Sequence, residues 1–446
     1  MNRLGKFFDI RSGEGKLVAV FAFLLLSNMV GQQVSSIVSV SGFMNHFGPK
    51  EMVLVNLVDY VVVLVIVSLQ SLTIDRSSRV RQTAIILVVY AALYVLIRIT
   101  FYLNLANWLS YGLLYVVADQ TFWYFPALVW ALTNDVFSME QGKRFFNSIN
   151  SGATVGSLLG IGISILAPRI VKLAGISTPD VLYLNAGLYL LSFILVVTSL
   201  QKASIRKIIP KDQSVKETLS EGIYFIREIP FFKFMVIFVI AYWITYAVLD
   251  YRFYVWTQPV FTSMDAYQSF YGTYRLVSII SLLLTQLILT NPVLDRLQMK
   301  NSFFLTPVMG VIVGSLLLGA PGFWTAVLGM FTYILVLRAF TRVAWKTAAS
   351  LIPEEKRGRV TLFLEAYVPA VFIWLSYAIS LGMTELGTAA GWNVNGFFPV
   401  MVILLGVIGL YAAYKISKTY ETSLMNWRLR RRTKLSSPIL NKLKDL

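Results

Sequence analysis

Residues 71–79, SLTIDRSSR, and residues 291–300, NPVLDRLQMK, each close a long apolar run with an acid, an arginine and a further cation. Asp75-Arg76 with Arg79 follows the run at 52–73, and Asp295-Arg296 with Lys300 follows the run at 267–290. A second matched pair lies two runs later in each half: Lys143-Arg144 after 108–135, and Lys356-Arg357-Gly358-Arg359 after 323–349. The chain therefore reads as one plan used twice, in an N-terminal half at 1–200 and a C-terminal half at 232–420. Residues 201–231 form the linker, and residues 421–446 form a basic tail.

The runs have the length of a bilayer. Of 446 residues, 57% are hydrophobic and only 14% charged, too apolar for a soluble protein. Crossing the hydrocarbon takes about 20 residues as a helix. An uncleaved first span follows the basic lead of residues 1–16, and further spans are expected at 52–73, 82–104, 108–135, 148–168 and 181–200. After the linker come 232–257, 267–290, 302–319, 323–349, 360–382 and 398–418. The expected fold class is an all-α integral membrane protein with 12 transmembrane helices in two six-helix pseudo-repeats. Connecting segments on the side of the termini, counted with Lys415 and Lys418 at the end of the last span, hold 29 Lys and Arg against three on the other. By the positive-inside rule both termini of the multi-pass chain are expected in the cytoplasm. The same count accounts for the net charge of +17 with no nucleic-acid partner.

Inventory excludes several chemistries. There are no cysteines and one histidine, His46, so thiolate sites, paired-histidine metal sites and disulfides are out. No GxxxxGK[ST] loop is present for a nucleotide hydrolase. No enzyme, cofactor or metal is expected. The linker carries Ser214-Val-Lys-Glu217, a capping box before a surface helix. The tail, with Trp427 and Arg428, Arg430, Arg431 and Arg432, suits anionic lipid. Nothing in the sequence calls for more than a monomer.

Two parallel six-span repeats around a cytoplasmic linker resemble the major facilitator superfamily, and the Asp-Arg loops resemble its loop after span two, although the usual preceding glycine is missing at 71–74. Trp130-Ala-Leu-Thr-Asn-Asp135, Glu140-Gln-Gly-Lys-Arg-Phe-Phe146 and Gly152-Ala-Thr-Val-Gly156 resemble the ATP/ADP translocase family of bacterial parasites and plastids. Leu351 to Arg359, through Glu365 and Pro369, resembles related bacterial transporter-like proteins. Nucleotide-exchanging members carry a basic-acidic element in span one; here Gly31 to Ser36 is uncharged.

The resemblance implies that spans one, four, seven and ten line a central cavity. Span ten then stands out, because Arg338, Arg342 and Lys346 recur every four residues and so stripe one face of a helix. Each such charge costs roughly 2.5 to 3.5 kcal/mol at the bilayer centre, which places the stripe on a wet interior rather than on lipid. Span one offers Asn28, Gln32, Ser35 and Ser39; span four offers Asp119, Trp123, Trp130 and Asn134; span seven offers Tyr242, Tyr246, Asp250 and Tyr254. Cations beside aromatic rings and amides suit a small anionic substrate with an organic body. Arg338, Arg342, Lys346, Tyr242, Tyr246, Trp123, Trp130, Asn134 and Gln32 are the candidate substrate residues. Asp119, Asp250, Glu365, Asp59, Arg98 and Arg275 are candidates for coupling or gating.

The competing reading is that intramembrane charges pair with each other. Asp59 is expected with Arg98, Asp250 with Arg252 or Arg275, and Glu365 with Arg342 or Lys346. Asp119 fits either a proton-coupling carboxylate or a closing bridge to Arg338. Gly152, Gly156 and Gly160 are expected to let two helices approach closely. The expected function is a secondary transporter moving an organic anion, organophosphate or nucleotide-like, by alternating access and exchange. The alternatives are a lipid or lipid-anion transporter and a non-transporting receptor or scaffold with a transporter fold.

Overall fold

Apolar segments inside a bilayer must satisfy every backbone N–H and C=O internally, which leaves the helix as the form for each run. The computed structural model describes residues 14–73, 78–137, 139–175, 177–200, 223, 229–349, 352, 360–361, 363–392 and 394–444. Among them, 11 helices are long and apolar enough to cross a membrane. The sequence span at 108–135 is also helical over 30 residues but is not one of those 11. The described helices divide into two compact units, one of residues 1–213 with 258–279 and one of 214–257 with 280–446.

The first unit is built on α1 (Gly15–His46), which is buried on nearly all sides. Around it stand α2 (Pro49–Thr73), α3 (Arg79–Tyr102), α4 (Asn107–Val136), α5 (Met139–Ala174) and α6 (Leu182–Leu200). Helix α5 meets α1 along Gly152, Gly156 and Gly160, as the spacing predicts. A Cβ on each would lie 2.2 Å from Ala22 O, 2.3 Å from Leu26 O and 2.7 Å from Val30 O, so only glycine fits. The outer faces are apolar: Leu54, Val58, Val61, Val65 and Leu69 of α2 are exposed at helical spacing.

Helix α6 is tied to α1 by polar rungs. Ser27 and Ser192 share a hydrogen bond of 2.7 Å, Tyr189 donates to Asn28 Oδ1 at 2.9 Å, and Asn185 donates to Ser35 Oγ at 2.8 Å and Gly31 O at 3.2 Å. Asn28 also donates to Thr121 O of α4 at 3.1 Å. Asn28 and Ser35, expected on a cavity face, thus serve the interior of the unit. Buried polar groups pair where they can, and α6 supplies the partners.

Helix α8 (Met264–Ile288) begins in the first unit. Pro168 inside α5 has no N–H for the carbonyl of Ser164 four residues earlier. Gln268 of α8 donates to that carbonyl at 2.8 Å and is itself fully buried. At one end of the unit, Arg79, the last residue of the first Asp-Arg motif, binds Asp135 at 2.7 Å and Ala131 O at 3.2 Å. Arg144 and Gln141 both donate to Glu14 Oε1, at 3.2 and 3.0 Å.

The second unit is built on α7 (Pro230–Thr257), likewise buried along most of its length. It packs with α10 (Leu305–Gly319), α11 (Phe323–Val336), α13 (Val368–Ala390) and α14 (Phe397–Lys444), and α9 (Thr290–Leu297) is a short helix where the sequence reading expects a loop. Tyr333 donates to Tyr242 O at 2.9 Å, and Ser376 to Ile244 O at 3.3 Å. Helix α14 continues through the basic tail instead of ending with the span.

The tenth span is interrupted. Between α11 and α12 (Arg342–Ala349), residues Leu337–Thr341 form a π-turn, in which the Arg342 N–H reaches back to Leu337 O. A wide turn of this kind needs lateral partners for its backbone. Thr290 donates to Ala339 O at 3.1 Å, and Thr306 and Thr341 share a hydrogen bond of 2.6 Å. Ala339 and Phe340 of the turn form a buried cluster with Leu294 of α9. A second π-turn, Phe363–Tyr367, precedes Pro369, which has no N–H to give the carbonyl of Glu365.

Candidate functional site

Each π-turn carries a charge that the sequence singled out: Arg338 in the first and Glu365 in the second. Arg338 and Lys346 are exposed, and Arg342 is half-buried. The stripe is therefore not one continuous helix face, because the widened turn separates Arg338 from the α-helical pair Arg342 and Lys346. Glu365 does not pair as expected: its Oε1 accepts a hydrogen bond from the Trp345 indole N–H. Among the described residues no carboxylate lies within 4.0 Å of Arg342 or Lys346. Two of the three cations are thus without an acid partner there.

Tyr242 lies within electrostatic reach of both Arg342 and Glu365. Its ring continues an aromatic row, with Phe238 at 5.5 Å, Trp243 at 5.2 Å, and Tyr246 at 5.4 Å from Trp243. Tyr242, Tyr246 and Asp250 are all half-buried along one edge of α7. Asp250 accepts from Tyr377 at 2.8 Å, and Arg252 turns instead to Asn395 at 3.0 Å and the rings of Phe398 and Trp256. This arrangement sets the Arg342 guanidinium near the Tyr242 phenol at one end of an aromatic row, a combination suited to phosphate or carboxylate on an organic body. Trp345 was not anticipated. Its signal was its position, one residue before Lys346 and three after Arg342.

The other cluster lies in the first unit. Asp59 of α2 is 1% exposed, and Gln120 donates to its Oδ1 at 3.1 Å. Asp119 of α4 is in hydrogen-bonding contact with Asp59 and Trp123. Arg275 of α8 lies within electrostatic reach of Asp119, and donates to Gln33 at 2.8 Å and Tyr271 at 3.4 Å. The expected pairing of Asp59 with Arg98 is not formed. Arg98 binds Asp180, at 2.7 Å through Nε and 2.5 Å through Nη2. Asp180 also closes a capping box with Ser177. The spacing Ser177-Thr-Pro-Asp180 is a signal that sequence reasoning passed over.

The other nominated residues are dispersed. Trp130 packs edge-on against Phe146 at 5.4 Å, Asn134 is exposed, and Gln32 is buried, its Oε1 with no hydrogen-bond partner among the described residues. Arg144 sits over the Phe145 ring at 4.7 Å as well as on Glu14. Asp295 and Arg296 are exposed on α9. Asp75, Arg76 and the side chain of Lys143 lie outside the described residues, as do the side chains of Trp427 and the tail arginines.

The family model described as TLC ATP/ADP transporter matches residues 20–345. The chain belongs to this family. The TLC ATP/ADP transporter family is one of transporters, not enzymes, and the resemblance seen in the sequence is the correct one. A search of curated proteins returns no match. Among solved structures, a bacterial homologue of the iron transporter ferroportin in its inward-facing state has a TM-score of 0.63 at 13% identity, covering 90% of this chain and 98% of that one. The nucleoside transporter NupG has a TM-score of 0.57 at 15% identity, covering 91% and 98%. The POT family transporter PepTSo has a TM-score of 0.57 at 12% identity, covering 90% and 98%. These likenesses give the TLC member a major-facilitator-like fold; the family match, with 11 described helices long and apolar enough to cross a membrane, makes it a multi-pass membrane transporter.

Proposed function

We propose that this protein is a secondary transporter that exchanges organic anions, organophosphates or nucleotides, by alternating access. The observation that carries the reading is the π-turned tenth span, which bears Arg338, Arg342 and Lys346 and brings Arg342 within electrostatic reach of the half-buried ring of Tyr242. Arg338 and Arg342 hold the anionic group; Tyr242 and Tyr246 receive the organic part. Exchange suits such a site, because the countersubstrate neutralises the same cations on the return step. The charge count supports 12 spans with both termini cytoplasmic in a bacterial inner membrane, and the tail arginines resting on anionic lipid.

The test is exchange by the purified chain in liposomes, loaded with unlabelled ATP or a sugar phosphate and supplied with the labelled anion outside. Arg338→Ala is expected to reduce exchange at least tenfold. Losing a charge-assisted contact costs about 1.5 to 3 kcal/mol, a factor of about 10 to 100. Wild-type exchange by this variant would refute the assignment.

A further inference from the structure

The anion reading leaves Asp59 and Asp119 without a task. Both project into the interior of the first unit from neighbouring helices, and Oδ2 of each is buried with no donor among the described residues. Two ionised carboxylates in contact would set acceptor against acceptor and like charge against like charge. One proton between them changes both terms, since the O–H of one carboxyl becomes the donor that the other lacks.

Charge counting agrees. Asp59, Asp119 and Arg275 together carry one net negative charge when all are ionised, and none when the two acids share a proton. Burial penalises the net charge. The surroundings come from four helices. Helix α2 adds Asn56, which accepts from Tyr115 of α4 at 2.8 Å. Helix α4 adds Gln120 and Trp123, and α8 adds Arg275 with Tyr271. Helix α1 adds Gln33, which holds the guanidinium of Arg275. Arg275 is the fixed cation against which the pair gains or loses its proton.

We propose that Asp59 and Asp119 form a carboxyl pair that binds one proton and releases it in each transport cycle, so that the proton is the coupling ion of this transporter. In the release step the carboxyl O–H bond breaks, the proton passes to water, and two carboxylates remain facing Arg275. The coupling part rests on the transporter reading above; proton sharing does not.

The experiment has two arms. In the first, the full-length protein in liposomes without substrate is studied by infrared difference spectroscopy across a pH titration. A protonated-carboxyl C=O band is expected in the wild type and lost in both Asp59→Asn and Asp119→Asn, since one proton belongs to both acids. No band in the wild type, or a band surviving in both variants, overturns the proposal. In the second arm, uptake of labelled ATP or a sugar phosphate is followed with the outside more acid by about one pH unit, which shifts wild-type accumulation by up to ~10-fold per proton. Asp119→Asn should show no such response. An equal response in both, or a response only to a sodium gradient, overturns the coupling. If no organic anion moves in the wild type, the transporter reading fails, and the infrared arm alone decides whether the pair holds a proton.

Discussion

Replacing Gly156 with alanine would put a methyl carbon 2.3 Å from Leu26 O, 2.8 Å from its Cα and 2.9 Å from its carbonyl carbon. Ordinary contact begins at 3.4 Å, so the new carbon falls about 1.1 Å short of it. The obstacle is backbone on a buried helix, which has no rotamer to change, so α1 and α5 must move apart. Overpacking costs about 1 to 3 kcal/mol where side chains can adjust, and a rigid obstacle belongs at the upper end of that range. Alanine returns up to about 1 kcal/mol in helix propensity, leaving a net loss of about 2 kcal/mol. That corresponds to a fall in Tm on the order of 4 to 8 °C for a unit of this size. The assay is thermal unfolding in detergent, with Gly162→Ala as the internal control. Gly162 lies on the same helix and its Cβ would meet nothing within 4 Å, so that variant should unfold at or slightly above the wild-type temperature. If Gly156→Ala and Gly162→Ala unfold together, the close approach of α5 to α1 is wrong.

Gln268→Leu should destabilise the protein by about 1 to 3 kcal/mol by stranding the Ser164 carbonyl; Pro168→Ala in the same chain should recover most of it, because the freed N–H can then reach that carbonyl, and thermal unfolding of the single and double variants measures both. Trp345→Phe keeps the ring but removes the donor to Glu365, and should cost about 1.5 to 3 kcal/mol in unfolding free energy. An unchanged Tm would mean that the indole does not hold the carboxylate.

Apolar run length carries most of the fold, because it reports on single helices and needs no knowledge of neighbours. The glycine row was legible for a related reason: three small residues at steps of four imply a close partner, although not which one. Charge pairing was not legible in the same way. Depth alone matched Arg98 with Asp59, and only the fold brings Asp180 to it. Depth along a helix fixes one coordinate of a side chain, while pairing needs its direction as well. The polar face of α1 misled for this reason, since Asn28 and Ser35 point at α6. The π-turns were hidden because they depend on distant partners, Thr290 and Thr306 for the first. Only Pro369 gave a local sign of the second.

The first π-turn also changes what a deletion would do. In an uninterrupted helix, removing one residue swings everything beyond it by about 100°, one residue's share of the 3.6-residue turn. At Leu337–Thr341 the widened turn already holds the extra residue, so a deletion there can be absorbed by tightening to an ordinary α-turn. The two ends of the span would keep their packing, and what would alter is the bearing of Arg338 relative to Arg342 and Lys346. The segment is thus a place where chain length and ligand geometry are separable: one residue fewer re-aims a charge without rebuilding the helix that carries it.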